Sequence, residues 1–186
     1  MVDELGIDCS NWSGLPSQAA LNDLRGMGVN WAIPGTQIGA DGKRYTAQQI
    51  VAFEGNGLLV PSVYCYLNFD GNDPVRVADA LQFGKYVWLD VEEQSTNVGM
   101  LRDAVAAAGD RIAGIYTGRY YPIWQHTGTE FAYLPLWHAD YRDPSNAADI
   151  FDHFVPYAGW TRPTIWQYAG TTNVAGFAVD LNLYRV

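Results

Sequence analysis

Three apolar stretches of this 186-residue chain run into carboxylates. "LGIDCS" carries Asp8, "YVWLDVE" carries Asp90 and Glu92, and "FAVDLNLY" carries Asp180. Carboxylates gathered in one pocket raise one another's pKa, and one of them is then held protonated as a general acid near neutral pH. Glycoside cleavage needs such an acid and a second group that stabilises a cationic centre. Singly, each acid has an ordinary reading. Most D-x-E triplets are solvated charge, Asp8 could cap a turn, and Asp180 could pair with an arginine. The set points to chemistry because every member follows apolar strand residues near a strand end.

The elements that must position them follow from the pattern. Strand side chains alternate faces, so Trp88, Asp90 and Glu92 point one way and Val87, Leu89 and Val91 the other. Glu93 falls on the face opposite Glu92 and reads as a surface residue. Asp8 shares a face with Ser10, and Asp180 with Asn182. Strand-like runs lie at 5–10, 29–35, 58–69, 86–92, 112–118, 133–141, 164–170 and 177–184. Helical segments lie near 17–27, 46–55, 74–83 and 97–109. Strands alternating with helices imply right-handed βαβ units and a parallel sheet. Eight strands predict a closed barrel with its site at the strands' C-terminal ends. Only a short turn joins the last two strands, too short for a parallel crossover. The expected fold is therefore α/β, an irregular eight-stranded TIM-like β/α barrel with missing helices and antiparallel strands toward the C-terminus. It forms one catalytic domain over residues 1–186. An open doubly wound sheet is the alternative, but no Gly-rich phosphate loop supports it.

Composition narrows the partners. Hydrophobic residues make up 48% and charged residues 17%, a globular balance. A net charge of −9 disfavours nucleic acid and anionic membranes, which need clustered Lys and Arg. No apolar run is long enough to span a bilayer, and the acidic start "MVDELGIDCS" is not a signal peptide. The three His lack metal-ligand spacing, and no metal or other cofactor is expected. Cys9 and Cys65 sit on strands that should have another between them. Two strand spacings, about 9–10 Å, exceed the roughly 7 Å Cα limit for a disulfide, so both should be free thiols. Oligomeric state has no visible signature, and a monomer is the default.

"GIDCS", "WLDVE", "IYTG", "LPLWHADY", "WQYAG" and "VDLN", in that order from Gly6 to Tyr184, resemble the strand motifs of glycoside hydrolase family 25. These are the lysozymes, or N-acetylmuramidases, of bacteria and phage endolysins. The resemblance implies a β/α barrel with irregular last strands. It also implies hydrolysis of the β-1,4 bond between N-acetylmuramic acid and N-acetylglucosamine in peptidoglycan, outside the cell, with retention of configuration. The family's acids carry over to Asp8, Asp90, Glu92 and Asp180. Glu92 takes the proton-donor position, and Asp90 would orient the substrate's acetamido group and stay charged. The second strand departs from the family pattern: Pro34 stands where Lys is usual and Gln37 where Glu is usual.

Aromatic residues reach 14% of the chain. For Tyr66, Tyr116, Trp137 and Tyr141, stacking on sugar rings and packing in the barrel are equal alternatives. Trp12, Trp31, Trp124 and Trp160 read as structural, and His138 as packed behind the barrel. Two other functions stay open at this point: a barrel that binds wall glycan without cleaving it, and a chitinase-like N-acetyl-hexosaminidase.

Overall fold

The computed structural model describes residues 4–39, 42–141 and 147–185. Its strands are β1 (Glu4–Cys9), β2 (Trp31–Pro34), β3 (Val63–Tyr66), β4 (Val87–Asp90), β5 (Ile112–Thr117), β6 (Leu136–Ala139), β7 (Ile165–Val174) and β8 (Phe177–Tyr184). The α-helices are α1 (Gln18–Gly26), α2 (Thr46–Gly55), α3 (Asp73–Ala80) and α4 (Val98–Ala108). They fall where expected because their ends are encoded locally. Ser17 accepts from the Ala20 N–H at 3.1 Å, and Asn97 from the Met100 N–H at 3.2 Å, satisfying amides that a helix start leaves open. Pro74 sits in the first turn of α3, where no N–H is needed.

The strands form one sheet in the order β2-β1-β8-β7-β6-β5-β4-β3. Isolated parallel bridges, Trp31 to Leu59 and Gly35 to Tyr64, draw the two edges together and nearly close the barrel. β3 to β7 run parallel, as do β1 and β2, while β8 is antiparallel to both of its neighbours. The β7–β8 hairpin turns at Ala175 and Gly176, both at positive φ (47° and 85°), the backbone a tight hairpin turn requires.

Two apolar layers hold the barrel. Outside it, α3 and α4 cover Cys65, Leu89 and Ile115, while α1 and α2 cover Ile7 and Cys9 beside the β7–β8 hairpin. Both cysteines are free and buried, and β2 lies between their strands, as the strand order requires. Inside, Trp31, Tyr64, Trp88, Tyr116, Trp137 and Ile165 fill the bore. Two glycines make this possible. A Cβ on Gly6 would lie 2.0 Å from the Trp31 ring, and one on Gly114 2.4 Å from the Trp88 ring. The bore is thus an aromatic plug, and the acids stand on it.

Candidate active site

Strand register brings the four acids together. Asp8 on β1 lies directly opposite Asp180 on β8. Asp90 ends β4, flanked in register by Tyr66 on β3 and Tyr116 on β5, and Glu92 follows just beyond the strand. All four line one narrow crevice with Tyr64, Tyr116 and Trp137 as its other walls. This crevice joins a cleft through Asp90 and Glu92, which border both. The cleft has a volume of about 580 Å³, in the range that encloses small ligands.

The acids are held in two different ways. Asp8 and Asp180 are tied down by neutral donors. Gln167 Nε2 donates to Asp8 Oδ2 at 2.9 Å and to Asp180 Oδ2 at 3.3 Å, and Asn182 Nδ2 donates to Asp8 Oδ2 at 2.7 Å. Both amides are themselves oriented: Tyr116 Oη donates to Gln167 Oε1 at 2.8 Å, and Trp137 Nε1 to Asn182 Oδ1 at 2.7 Å. The Thr171 N–H donates to Asp180 Oδ1 at 2.5 Å, from a backbone at φ 54° that a β-branched residue rarely adopts.

Asp90 and Glu92 form the other pair. Asp90 is buried, and its Oδ1 has no hydrogen-bond partner. Glu92 is half-buried, and its Oε1 accepts from Tyr121 Oη at 3.1 Å, with Tyr116 Oη, whose proton goes to Gln167, 3.4 Å away. Among the described residues none of the four acids forms an ion pair with a cation.

Burial without a counter-cation sets the electrostatics. Burial pushes Asp8 well above the usual carboxylate range, aided by the Asp180 charge and opposed by the Asn182 and Gln167 hydrogen bonds. Burial likewise raises Asp90 well above that range, with the charges of Glu92 and Asp8 adding to it. Glu92 is raised by burial but held back by the two tyrosine hydroxyls, which favour its charged form. Asp180 is raised by burial and opposed by the Thr171 N–H. Asp90 and Glu92 are close enough for their titrations to be coupled, each charge raising the cost of the other. Burial without a donor favours the protonated form of the deeper Asp90, whereas the tyrosine hydroxyls oppose protonation of Glu92. That direction runs against the expectation that Asp90 stays charged, because donors reach Glu92 and Asp90 Oδ1 has none.

The aromatic candidates separate by burial. Trp137, a candidate sugar platform from the sequence, is only 1% exposed. Its ring packs edge-on against Tyr64, Trp88 and Tyr116, so it is the floor of the crevice and has no free face to offer. Tyr116 is also buried, and its hydroxyl serves Gln167 and Glu92. Tyr66 lines the open cleft, and Tyr141 is exposed beyond the end of β6, with its ring against Gly170. His138 is buried behind the barrel against Trp166, as expected.

Two further expectations are corrected. Glu93 is not an idle surface residue: it is half-buried and accepts from Tyr66 Oη at 2.6 Å. Strand alternation placed it wrongly because β4 ends at Asp90. Trp12 is not structural, being 79% exposed on the cleft wall. Sequence reasoning also missed the roles of Gln167 and Tyr121. A polar Gln within the apolar run "TIWQYAG" was a readable signal of a buried hydrogen-bonding role. Nothing comparable marked Tyr121, which lies in a loop. Among the described residues no cluster of His, Cys, Asp and Glu is arranged to hold a metal, and no helix is long and apolar enough to cross a membrane.

Comparison with known proteins agrees with this geometry. No family model matches the chain. Counting factor 50 of Dictyostelium discoideum is 29% identical over 97% of the chain, which spans 63% of that relative. A probable GH family 25 lysozyme (number 5) of the same organism is 27% identical over 69% of the chain and 67% of its own length. The structure of a family GH25 lysozyme from Aspergillus fumigatus superposes with a TM-score of 0.73 at 18% identity, covering 100% of this chain and 95% of that one. Six motifs in order, the irregular barrel and these likenesses make the chain similar to glycoside hydrolase family 25 lysozymes in sequence pattern and in fold.

Proposed function

We propose that the chain hydrolyses peptidoglycan outside the cell, cutting the β-1,4 bond between N-acetylmuramic acid and N-acetylglucosamine with retention, assisted by the substrate's own N-acetyl group. One observation carries the reading. Glu92 borders both crevice and cleft, and beside it a deeper Asp90 keeps an oxygen without a partner. That oxygen is the acceptor an acetamido N–H needs. When glycan fills the cleft, Asp90 turns to the acetamido group and its proton passes to Glu92. The acetamido carbonyl oxygen attacks the anomeric carbon as the glycosidic C–O bond breaks, and Glu92 gives its proton to the departing oxygen. Asp90, now charged, stabilises the positive oxazolinium ring. Water then attacks the same carbon, Glu92 takes its proton, and the ring reopens with configuration retained. Asp8 and Asp180 supply negative potential to the cationic stages and keep Glu92 basic enough to work in both directions.

The test uses wall glycan in two forms. N-acetylated glycan should be cleaved with new reducing ends on muramic acid, and glycan de-N-acetylated on that residue should resist. Equal rates on both eliminate substrate assistance and leave a protein carboxylate such as Asp180 as nucleophile. New reducing ends on glucosamine identify a glucosaminidase. Binding without products leaves a glycan-binding barrel.

A further inference from the structure

Six of the seven tryptophans are at most 6% exposed, while Trp12 is 79% exposed. Leaving a large apolar side chain in water forgoes about 1.5–3 kcal/mol of burial. The backbone that presents it is nonetheless fixed. Trp12 lies in a 3₁₀ turn, Asn11–Ser13, closed by a reciprocal cap: the Trp12 N–H donates to Ser10 Oγ at 3.1 Å and the Ser10 N–H to Ser13 Oγ at 3.3 Å. From below, the buried Gln49 amide donates to the Ser10 and Gly14 carbonyls at 3.1 and 2.8 Å. The Asn11 amide, oriented with its nitrogen toward the Lys43 carbonyl (2.8 Å), accepts from the Gly39 N–H at 3.1 Å and locks the turn to the neighbouring segment. An exposed indole on a backbone this constrained is a preorganised platform, which lowers the entropic cost of binding a flat apolar face.

The cavity that Trp12 borders holds two further unsatisfied groups. Gln37 and Arg44 both line it, and Gln37 Oε1 and Arg44 Nε are buried without partners. Buried polar groups left unpaired are rare and costly. Gly35 lets Gln37 lie there, since a Cβ on Gly35 would stand 2.6 Å from Oε1. The Arg44 guanidinium is fixed by Asp79 at 2.5 Å and lies 5.0 Å from the Phe83 ring centroid. One group accepts and the other donates. An acetamido group presents the complement, an N–H and a C=O. Gln37 is also one of the two positions where the second strand departs from the family pattern, so this chemistry belongs to the chain itself.

We propose that Trp12, Gln37 and Arg44 form an additional glycan subsite holding one N-acetylhexosamine ring, its apolar face on the indole and its acetamido group between the amide and the guanidinium. The proposal rests on the glycan reading above, and it makes the protein selective for longer chains. Calorimetry with N-acetylglucosamine dimer and hexamer, in a Glu92→Gln background that stops turnover, tests it. The hexamer should bind more tightly than the dimer. Trp12→Ala should weaken the hexamer about tenfold and remove most of that advantage, Trp12→Tyr should restore much of it, and Gln37→Ala should weaken the hexamer severalfold. Tyr133→Ala, an equally exposed aromatic outside the cleft, serves as control. Hexamer affinity no more sensitive to Trp12 than to Tyr133, or no hexamer binding at millimolar concentration, overturns the subsite. Trp12-dependent binding by a wild type that leaves wall glycan intact sinks the hydrolase reading alone. Wall hydrolysis whose KM ignores Trp12 sinks the subsite alone.

Discussion

The two sides of the barrel hold their acids by opposite means. On the antiparallel side, β8 meets β1 and β7, and Asp8 and Asp180 receive hydrogen bonds from Gln167, Asn182 and the Thr171 backbone. On the parallel side, β4 ends on Asp90 with an oxygen that nothing satisfies, and Glu92 receives only tyrosine hydroxyls. The difference has a structural cause. Gln167, Asn182 and Gly6 are cross-strand neighbours, so donors and acids interleave on that side. A parallel strand end delivers its last side chains into a pocket that the loops must complete, and here the loops bring only hydroxyls. Saturated acids are held in one geometry by neutral donors; an unsaturated pair can exchange a proton and take a ligand.

The largest test of this contrast is the proposed proton donor. Glu92→Gln should lower wall hydrolysis by about 10²–10⁴ with the fold intact, since that is what general-acid help is typically worth. Asp8→Asn, which keeps an acceptor for the Gln167 and Asn182 amides, should cost less than Glu92→Gln. Initial lysis rates with circular dichroism as the folding control decide the order, and an Asp8→Asn variant as inactive as Glu92→Gln would erase the proposed division of labour. The same pair sets the pH profile. On the proposed mechanism Glu92 must be protonated to act, and burial raises its pKa from the ordinary 4.5. Activity should therefore persist above that value and fall as pH climbs through the raised pKa.

The next effect is on stability, and it has the opposite sign. Burial raises Asp90, so the folded state holds a proton that the unfolded state releases once pH exceeds its ordinary pKa. Below about pH 3.9 the proton is present in both states and nothing is lost. Above it the unfolded chain binds fewer protons, so stability falls as pH rises. Asp90→Asn removes that dependence and provides an N–H for Glu92. It should abolish most activity yet stabilise the fold near neutral pH by about 1–2 kcal/mol, the usual size of a stabilising substitution. The gain should fade toward pH 4. Thermal melts at both pH values show whether the site does store this strain; a variant less stable than wild type at pH 7 shows that it does not.

How much of this was legible in the sequence follows the same divide. All eight strands, the four helices and the antiparallel finish were readable, because periodicity, caps such as Ser17 and the short connection between the last two strands are local signals, although β7 runs on to Val174, past the expected end at 170. The inward placement of Asp8, Asp90 and Asp180 was readable from strand alternation. Legibility stopped at the strand ends. Glu93 was misplaced because alternation has no meaning past Asp90; Tyr121 went unassigned and Trp12 was read as structural because loops give no period. Protonation order was illegible for a different reason: it depends on which oxygen lacks a donor, a fact about three dimensions. The two aromatics with buried rings, Tyr116 and Trp137, had equal alternatives in the sequence, and only their packing separates them from Tyr66 and Tyr141.

Glu93 gives the smallest effect and the finest test of the contrast. Its carboxylate accepts from Tyr66 Oη at 2.6 Å, and that bond, with burial, pushes the tyrosine far above its ordinary pKa. Tyr66 lies beside Asp90 in register and lines the cleft, so Glu93 acts on the site only by fixing a neighbour of the acid pair. Glu93→Gln keeps an acceptor for the hydroxyl and should stay within about twofold of wild type, because exchanging one hydrogen-bond acceptor for another is nearly neutral. Glu93→Ala releases the ring and should raise KM about threefold to tenfold with little change in kcat, the net worth of one ordinary hydrogen bond. Tyr66→Phe, which removes the same bond from the other side but keeps the ring, should resemble Glu93→Ala. The double variant should be no worse than either alone, since the two single changes delete the same contact. A fall in kcat for Glu93→Gln comparable to that of Glu92→Gln would place Glu93 in the chemistry and collapse the distinction between the acid that moves a proton and the acid that holds a wall.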